Sequence, residues 1–524
     1  MNGSRVSAEK RRLVIPGWVF LLIFVAASLR VGFMLFDRGF TSYDDGVAAE
    51  GARLVLQGKV PYRDFWTMYS PGGHYVNALG LAVLGHRLID VRLVGLLLGV
   101  VQSALLYAVV RRVSRNPYAC VIAAVGYLAF IPIGVPVYWF TAGLGAVYCL
   151  LRFADGLKSG WCYLCGVFLG LTVLLRQDAG IYLSIVAVTL VYVIARASGR
   201  RGLTAAAKSA VSLAGVCGLM LAYLSMNGAL SEMIRDTLYF PLFVFPKSRP
   251  LPYPLPWNEV LVIGRFSAPV SISGFYQLFA FYLLPAVLLG FCVVCITRHF
   301  KGCRDVNCSY AMALCSIAAV LFLMVGVRPS GARIGASVVM SMVAFSALVS
   351  DESRILRIGS WVMLVLSIAA YVPMGCYTVY AQRAYATSAI AGTGGVFAAP
   401  GHAEALSAAC MRVRQITLPS EKILCGAPVI YFIAQRDPGT RYYEPHPCLT
   451  DTANIQKAII RDIEKNRVRY FVRSREWDFK NGYFTMEPDH QPARLINYIE
   501  SNYRVEFDYA IFQIYKRVTD FPKS

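Results

Sequence analysis

Eleven long apolar runs dominate the first 380 residues: 13–36, 91–110, 118–136, 139–153, 161–175, 179–195, 210–226, 276–297, 309–327, 334–349 and 359–377. A bilayer-spanning helix needs about 20 mostly apolar residues, so this pattern predicts roughly eleven membrane-spanning helices. The first run follows a polar, basic stretch carrying Arg5, Lys10, Arg11 and Arg12. A secretory signal would have a shorter apolar core and a small-residue cleavage site, so an uncleaved anchor with a cytoplasmic N-terminus is expected. Alternation from that start places Arg111, Arg112, Arg115, Lys158, Arg196, Arg200, Arg201, Lys208, Arg298, Lys301, Arg304, Arg354 and Arg357 in cytoplasmic loops. That distribution agrees with the positive-inside rule. Two long segments, 37–90 and 227–273, fall on the other side, and the second contains a proline-rich stretch, 246–256, that cannot form a regular helix.

From about residue 379 the pattern changes. Ile455, Ala458, Ile459 and Ile463 recur at helical spacing between charges, and short β-rich runs occur at 422–425, 468–472, 503–507 and 510–515. Residues 379–524 are therefore expected to form a soluble α/β domain, which an odd number of spans places in the periplasm or outside the cell. Residues 1–378 form the membrane domain.

Composition supports a membrane protein. The chain is 57% hydrophobic and 15% charged, where a soluble domain has about 25% charged residues. The net charge of +21 sits in short runs between apolar segments, so nucleic acid is not an expected partner. The pairs Cys162/Cys165 and Cys292/Cys295 lie inside apolar runs with no ligand cluster after them, which reads as helix packing rather than a zinc or redox site. Cys425 and Cys448 could pair if the domain faces an oxidising compartment.

The first outer segment carries the candidate chemistry. It contains Asp44-Asp45-Gly46, a stretch to Gln57 with Val47, Gly51, Leu54 and Val55 on one face, and Gly58 and Pro61 as stops. This predicts a short helix lying on the membrane surface with Asp44 and Asp45 at its N-terminus. Asp is a favoured N-cap, so capping is one reading. The other is general-base chemistry: a carboxylate at the bilayer surface can take a proton from an incoming nucleophile, while its neighbour orients the acceptor or holds a divalent metal.

The run Asp44-Asp45-Gly46, then Gly58-Lys59-Val60-Pro61-Tyr62-Arg63-Asp64-Phe65, then Tyr69-Ser70-Pro71-Gly72 resembles the GT-C membrane glycosyltransferases. The branch most similar holds the protein O-mannosyltransferases and the lipid A and lipopolysaccharide sugar transferases. Arg176-Gln177-Asp178-Ala179-Gly180, between two spans on the outer side, and the run Pro428–Arg436 followed by Pro438-Gly439-Thr440-Arg441-Tyr442 fit as well. The resemblance implies a sugar donor on a polyprenyl phosphate, membrane lipids as surroundings, and a lipid, glycan or protein acceptor. The reaction implied is an inverting displacement with Asp44 or Asp45 as base, Asp44 being preferred. The leaving phosphate needs positive charge, not a general acid. Arg176 is the first candidate to hold it, with Lys59 and Arg328 behind; headgroup anchoring is the plainer reading for those two. Asp178 would orient Arg176 or bind metal, unless it only caps its helix. Tyr43, Tyr62 and Tyr69 would line the sugar site, although tyrosine is enriched at membrane interfaces anyway, and His74 faces the same compartment. After Arg328 the chain runs Pro-Ser-Gly-Ala-Arg333, where many relatives carry an Asp and a His. No metal-ligand cluster is visible and metal dependence is left open.

Two other classes compete. A transporter or flippase for a lipid-linked saccharide would show repeated halves and midplane charges, which this chain lacks. A catalytically inactive GT-C-like binding subunit would have no need of both aspartates.

Overall fold

The computed structural model describes residues 17–135, 137–245, 253, 262–263, 266–267, 270–303, 306–327, 331–444, 449–450, 452–475 and 493–521. In chain order the helices of the first part are α1 (Gly17–Phe33), α2 (Asp44–Leu56), α3 (Gly72–Leu84), α4 (Leu88–Val113), α5 (Pro117–Gly134), α6 (Tyr138–Gly156), α7 (Ser159–Leu175), α8 (Gln177–Ala197) and α9 (Gly202–Met226). Then come α10 (Leu230–Ile234, continuing as a π-helical stretch Arg235–Val244) and α11 (Val270–Gln277, a π-helical turn Leu278–Leu283, then Leu284–Phe300). They are followed by α12 (Val306–Phe322), α13 (Gly331–Leu348) and α14 (Arg354–Tyr385).

Each of the eleven apolar runs overlaps one of these helices; the run 309–327 is broken at Leu323, after α12, and resumes as a single helical turn at Met324–Val327. Among the described residues six are long and apolar enough to cross a membrane: α4, α5, α8, α9, α11 and α14. The shorter apolar helices α1, α7, α12 and α13 pack among them. α13 is central, with Val338, Met340, Ala344 and Phe345 fully enclosed. Its serines spend their hydroxyls on backbone: Ser337 donates to the Ala318 carbonyl of α12 at 2.7 Å and Ser341 to the Ser337 carbonyl at 2.7 Å. A buried hydroxyl without an acceptor is costly in an apolar interior, and small side chains let helices approach closely. The π-helical stretches place Pro241 and the turn before Pro285 where a regular ladder would be broken.

The chain between the first two long spans is more structured than its sequence suggests. It holds α3 as well as the expected α2. The proline-rich stretch 246–256 lies outside the described residues apart from Tyr253.

After α14 come α15 (Pro400–Ile416), β1 (Leu424–Cys425), α16 (Val429–Ala434), α17 (Ala453–Lys465), β2 (Tyr470–Ser474), α18 (Ala493–Asn502), β3 (Tyr503–Tyr509) and β4 (Phe512–Arg517). The sheet order is β1-β2-β4-β3, with β1 parallel to β2 and the other pairs antiparallel. Alternation sorts the side chains. Cys425, Val472 and Ile514 face Leu406, Ala409 and Val413 of α15, whereas Leu424, Phe471 and Tyr515 face Ile459 and Ile463 of α17 and Ile499 of α18. The result is a three-layer α/β sandwich built from the strands the sequence predicts. Cys425 is buried with a free thiol, and Cys448 lies outside the described residues.

α2 and α3 are pressed between this domain and the membrane helices. Ala49, Ala52 and Leu54 of α2 and Ala78 and Leu81 of α3 share one apolar cluster with α15 and α16. Arg53, bidentate to the buried Glu50 of its own helix, also reaches Asp437 at 2.9 Å and donates to the Arg436 carbonyl.

Candidate active site

The two aspartates of the Asp-Asp-Gly motif have different surroundings. Asp45 is fully engaged: Arg92 of α4 donates through Nε to Oδ1 at 2.9 Å and through Nη2 to Oδ2 at 2.7 Å, and the Thr41 N–H donates to Oδ2 at 2.9 Å. Thr41 Oγ1 in turn accepts the Asp44 N–H at 3.1 Å, so Thr41 and Asp45 close the first turn of α2 reciprocally. Arg92 gathers the Phe36 and Gly39 carbonyls as well, tying the end of α1 to α4. Asp45 thus braces the start of α2 against α4, and the Thr41 hydroxyl caps the helix. Truncation by Arg92→Ala would leave that carboxylate unpaired; it is expected to lower stability by about 3 kcal/mol, read as a drop in the thermal midpoint of detergent-solubilised protein.

Asp44 is exposed. With Asp45 and Ala48 it lines a cavity of about 520 Å³ between α1, α2, α4 and α5, whose walls include Leu29, Gly32, Leu96, Gly99, Val100 and Ile131. On the α1 side its lining runs from Ser28 to Gly32 and continues past the helix end through Leu35 and Phe36. Beside Asp44, Tyr43 donates its hydroxyl to Oε2 of Glu444, a buried acid from the C-terminal domain. Burial, reinforced by the charge of Asp44 and opposed by the Tyr43 hydrogen bond, pushes the Glu444 carboxyl up to about 8.

Gly46 explains the third residue of the motif. A Cβ there would lie 2.1 Å from the Val429 nitrogen and 2.7 Å from the Pro428 carbonyl carbon. The start of α16 rests directly on the α2 backbone. Gly72 has the same role at Leu174, 2.4 Å from the carbonyl oxygen.

A second cluster forms at the turn between α7 and α8. Arg176 pairs with Asp178 through Nε at 2.8 Å and lies 5.0 Å over the Tyr69 ring. Arg333, near the start of α13, acts on the same Tyr69 and on Arg176 and Asp178, and its Nη1 is buried without a hydrogen-bond partner. Two guanidinium groups therefore meet at Tyr69, with Asp178 bonded to Arg176 and near enough to act on Arg333 through its charge. Gln177 fastens the Tyr69 loop here: its Oε1 accepts the Ser70 N–H at 2.8 Å and its Nε2 donates to the Met68 carbonyl at 2.7 Å.

The remaining candidates are placed as follows. Tyr62, at φ 68°, is enclosed and donates its hydroxyl to the Tyr69 carbonyl at 2.9 Å. Lys59 is exposed beyond the C-terminal end of α2, about 20 Å along the helix axis from Asp44. His74 is buried between α2 and α3, edge-on to Phe65 and against Gly51, and burial lowers its pKa to about 4, so it stays neutral. Arg328 lies outside the described residues. No group of three or more His, Cys, Asp or Glu side chains suits a metal among the described residues, and no step below is routed through one.

Arg92, Arg333 and Glu444 are absent from the sequence-based candidates. Arg333 had a signal, since an ionisable residue opening an apolar span is unusual. Arg92, inside an apolar run, had a weaker one. Glu444 had none.

The bundle with two juxtamembrane helices under an appended α/β sandwich is the GT-C fold of membrane glycosyltransferases, and the chain is a multi-pass membrane protein. The crystal structure of ArnT from Cupriavidus metallidurans bound to undecaprenyl phosphate aligns with 97% of this chain and 99% of its own, with a TM-score of 0.53 and 15% identity. The family described as dolichyl-phosphate-mannose-protein mannosyltransferase matches residues 69–225. A sequence search of curated proteins finds no match.

Proposed function

We propose that the protein transfers a sugar from a polyprenyl-phosphate donor to an acceptor hydroxyl outside the cytoplasm of a bacterial cell, from the plasma membrane. The domain-bearing face is taken as the outer one, with the N-terminus inside. The observation that carries the reading is that Arg176 and Arg333 both act at Tyr69, with the Asp178 carboxylate bonded to Arg176 and a buried N–H of Arg333 unsatisfied. Such a site has surplus positive charge and a donor in need of an acceptor atom, which a phosphate supplies.

The neighbouring ArnT structure holds undecaprenyl phosphate, a ligand of this class. In this chain the two arginines would take the phosphate oxygens and stabilise the leaving group as negative charge develops. Asp178 keeps Arg176 oriented, and Tyr69 supports both cations. Asp44, exposed at the N-terminus of α2, takes the proton from the acceptor hydroxyl as its oxygen attacks the anomeric carbon. The carbon–oxygen bond to phosphate breaks on the opposite side, which inverts the anomeric configuration. The apolar cavity below Asp44 suits the hydrocarbon chain of a lipid substrate.

The test is binding of polyprenyl phosphate to purified protein, followed by thermal shift. Arg176→Ala and Arg333→Ala are each expected to weaken binding by about 10–100-fold, the value of a charge-assisted hydrogen bond at a buried site. Undiminished binding in both variants would remove the phosphate site from this cluster.

A further inference from the structure

We infer that Glu444, supplied by the C-terminal domain, is a positioning residue that fixes Asp44 by holding Tyr43. The inference rests on the reading of Asp44 as the base.

The first turn of α2 is clamped by that domain on both sides of Asp44. Before it, Tyr43 donates to Glu444 Oε2, and the Ser42 carbonyl accepts the Val429 N–H at 3.3 Å. After it, Gly46 lies against the Pro428–Val429 backbone, and the Tyr443 hydroxyl donates to the Val47 carbonyl at 3.3 Å. Tyr443 is itself braced edge-on by Phe65, 5.9 Å between ring centres. Residues 42, 43, 46 and 47 are thus all set by residues 428–429 and 443–444. The carboxylate in the middle of that turn inherits its place from the C-terminal domain.

Chemistry explains why the clamp is an acid. Glu444 is enclosed beside an aspartate, and two carboxylates in such a place cannot both ionise cheaply. The titratable groups acting on it are Tyr43 and Asp44 of α2, with Tyr443 next to it in sequence. At neutral pH Glu444 is protonated and still accepts the Tyr43 hydrogen bond through Oε2, leaving Asp44 as the one negative charge of this pair. Above about pH 8 it ionises, and a second negative charge appears where an anionic donor must approach.

The experiment uses the full-length protein in lipid nanodiscs with a polyprenyl-phosphate sugar that the wild type turns over. Glu444→Ala and Tyr43→Phe are each expected to lower kcat by about 10²-fold, the cost of a misplaced catalytic group, and the double variant to be no worse than either. KM is expected to change by less than about threefold. Glu444→Gln keeps a neutral acceptor for Tyr43; it is expected to recover about tenfold over Glu444→Ala and to lose the wild-type decline in rate above pH 8. The inference is overturned if Glu444→Ala keeps wild-type kcat per folded molecule. It is equally overturned if Ala and Gln are impaired alike with an unchanged pH profile. Full activity in Asp44→Asn overturns the base assignment instead, whatever Glu444 does.

Discussion

Replacing Asp44 by Asn is expected to reduce sugar transfer by about 10²–10⁴-fold, the usual contribution of a positioned general base. The measurement is the mass of the modified envelope component in cells carrying either protein at equal membrane abundance. Asn is isosteric and is itself a good helix N-terminal residue, so α2 survives the change. The Thr41 hydroxyl that caps the Asp44 N–H is untouched, and the bidentate Arg92 pair is made with Asp45. What is lost is the proton acceptor. Asp45→Asn, one residue later, leaves Arg92 without its bidentate partner and is expected to show reduced abundance and thermal stability first. The two neutralisations separate the base from the brace.

Gly46→Ala is expected to be nearly as damaging, although it removes no functional group. The added methyl would sit 2.1 Å from a backbone nitrogen and 2.8 Å from a Cα of residue 429. Neither can rotate away as a flexible side chain would, so α2 or α16 must shift, at a cost above the ~1–3 kcal/mol of ordinary overpacking. The shift moves Asp44, and transfer falls by about 10²-fold or more. Limited proteolysis checks the structural half, since the C-terminal domain should become more readily cleaved. Gly73→Ala is the control: a Cβ there meets nothing within 4 Å, and activity should be retained.

These expectations rest on contacts that differ in how far the sequence exposes them. The eleven apolar runs and the four short strands are local patterns, so hydropathy and alternation were enough to place them. α2 was legible because its stops at Gly58 and Pro61 and its amphipathic face lie within 15 residues. α3 was less so, because its 13 residues are almost all apolar and too few to span a bilayer, which leaves neither an amphipathic face nor a full span to read. The Asp44–Asp45 pair was visible, but the different surroundings of its two members were not: Arg92 is 47 residues from Asp45, and Glu444 is 400 from Asp44. Arg176 and Asp178 announce each other at a spacing of two residues, whereas Arg333 joins them only because α13 passes through the middle of the bundle. Gly58 reads as a helix stop in sequence, whereas nothing local shows why residues 46 and 72 are glycine: their constraint is another element's backbone.

The central claim is sugar transfer from a polyprenyl-phosphate donor with Asp44 as base. Its most direct test is purified protein in proteoliposomes supplied with synthetic polyprenyl-phosphate sugars and an envelope lipid extract as acceptor, with the lipid products weighed by mass spectrometry. The account predicts free polyprenyl phosphate and glycosylated acceptor in equal amounts from the wild type, and neither from Asp44→Asn. Movement of the intact lipid-linked sugar to the opposite leaflet, with no polyprenyl phosphate released by either protein, would contradict it and make the chain a transporter.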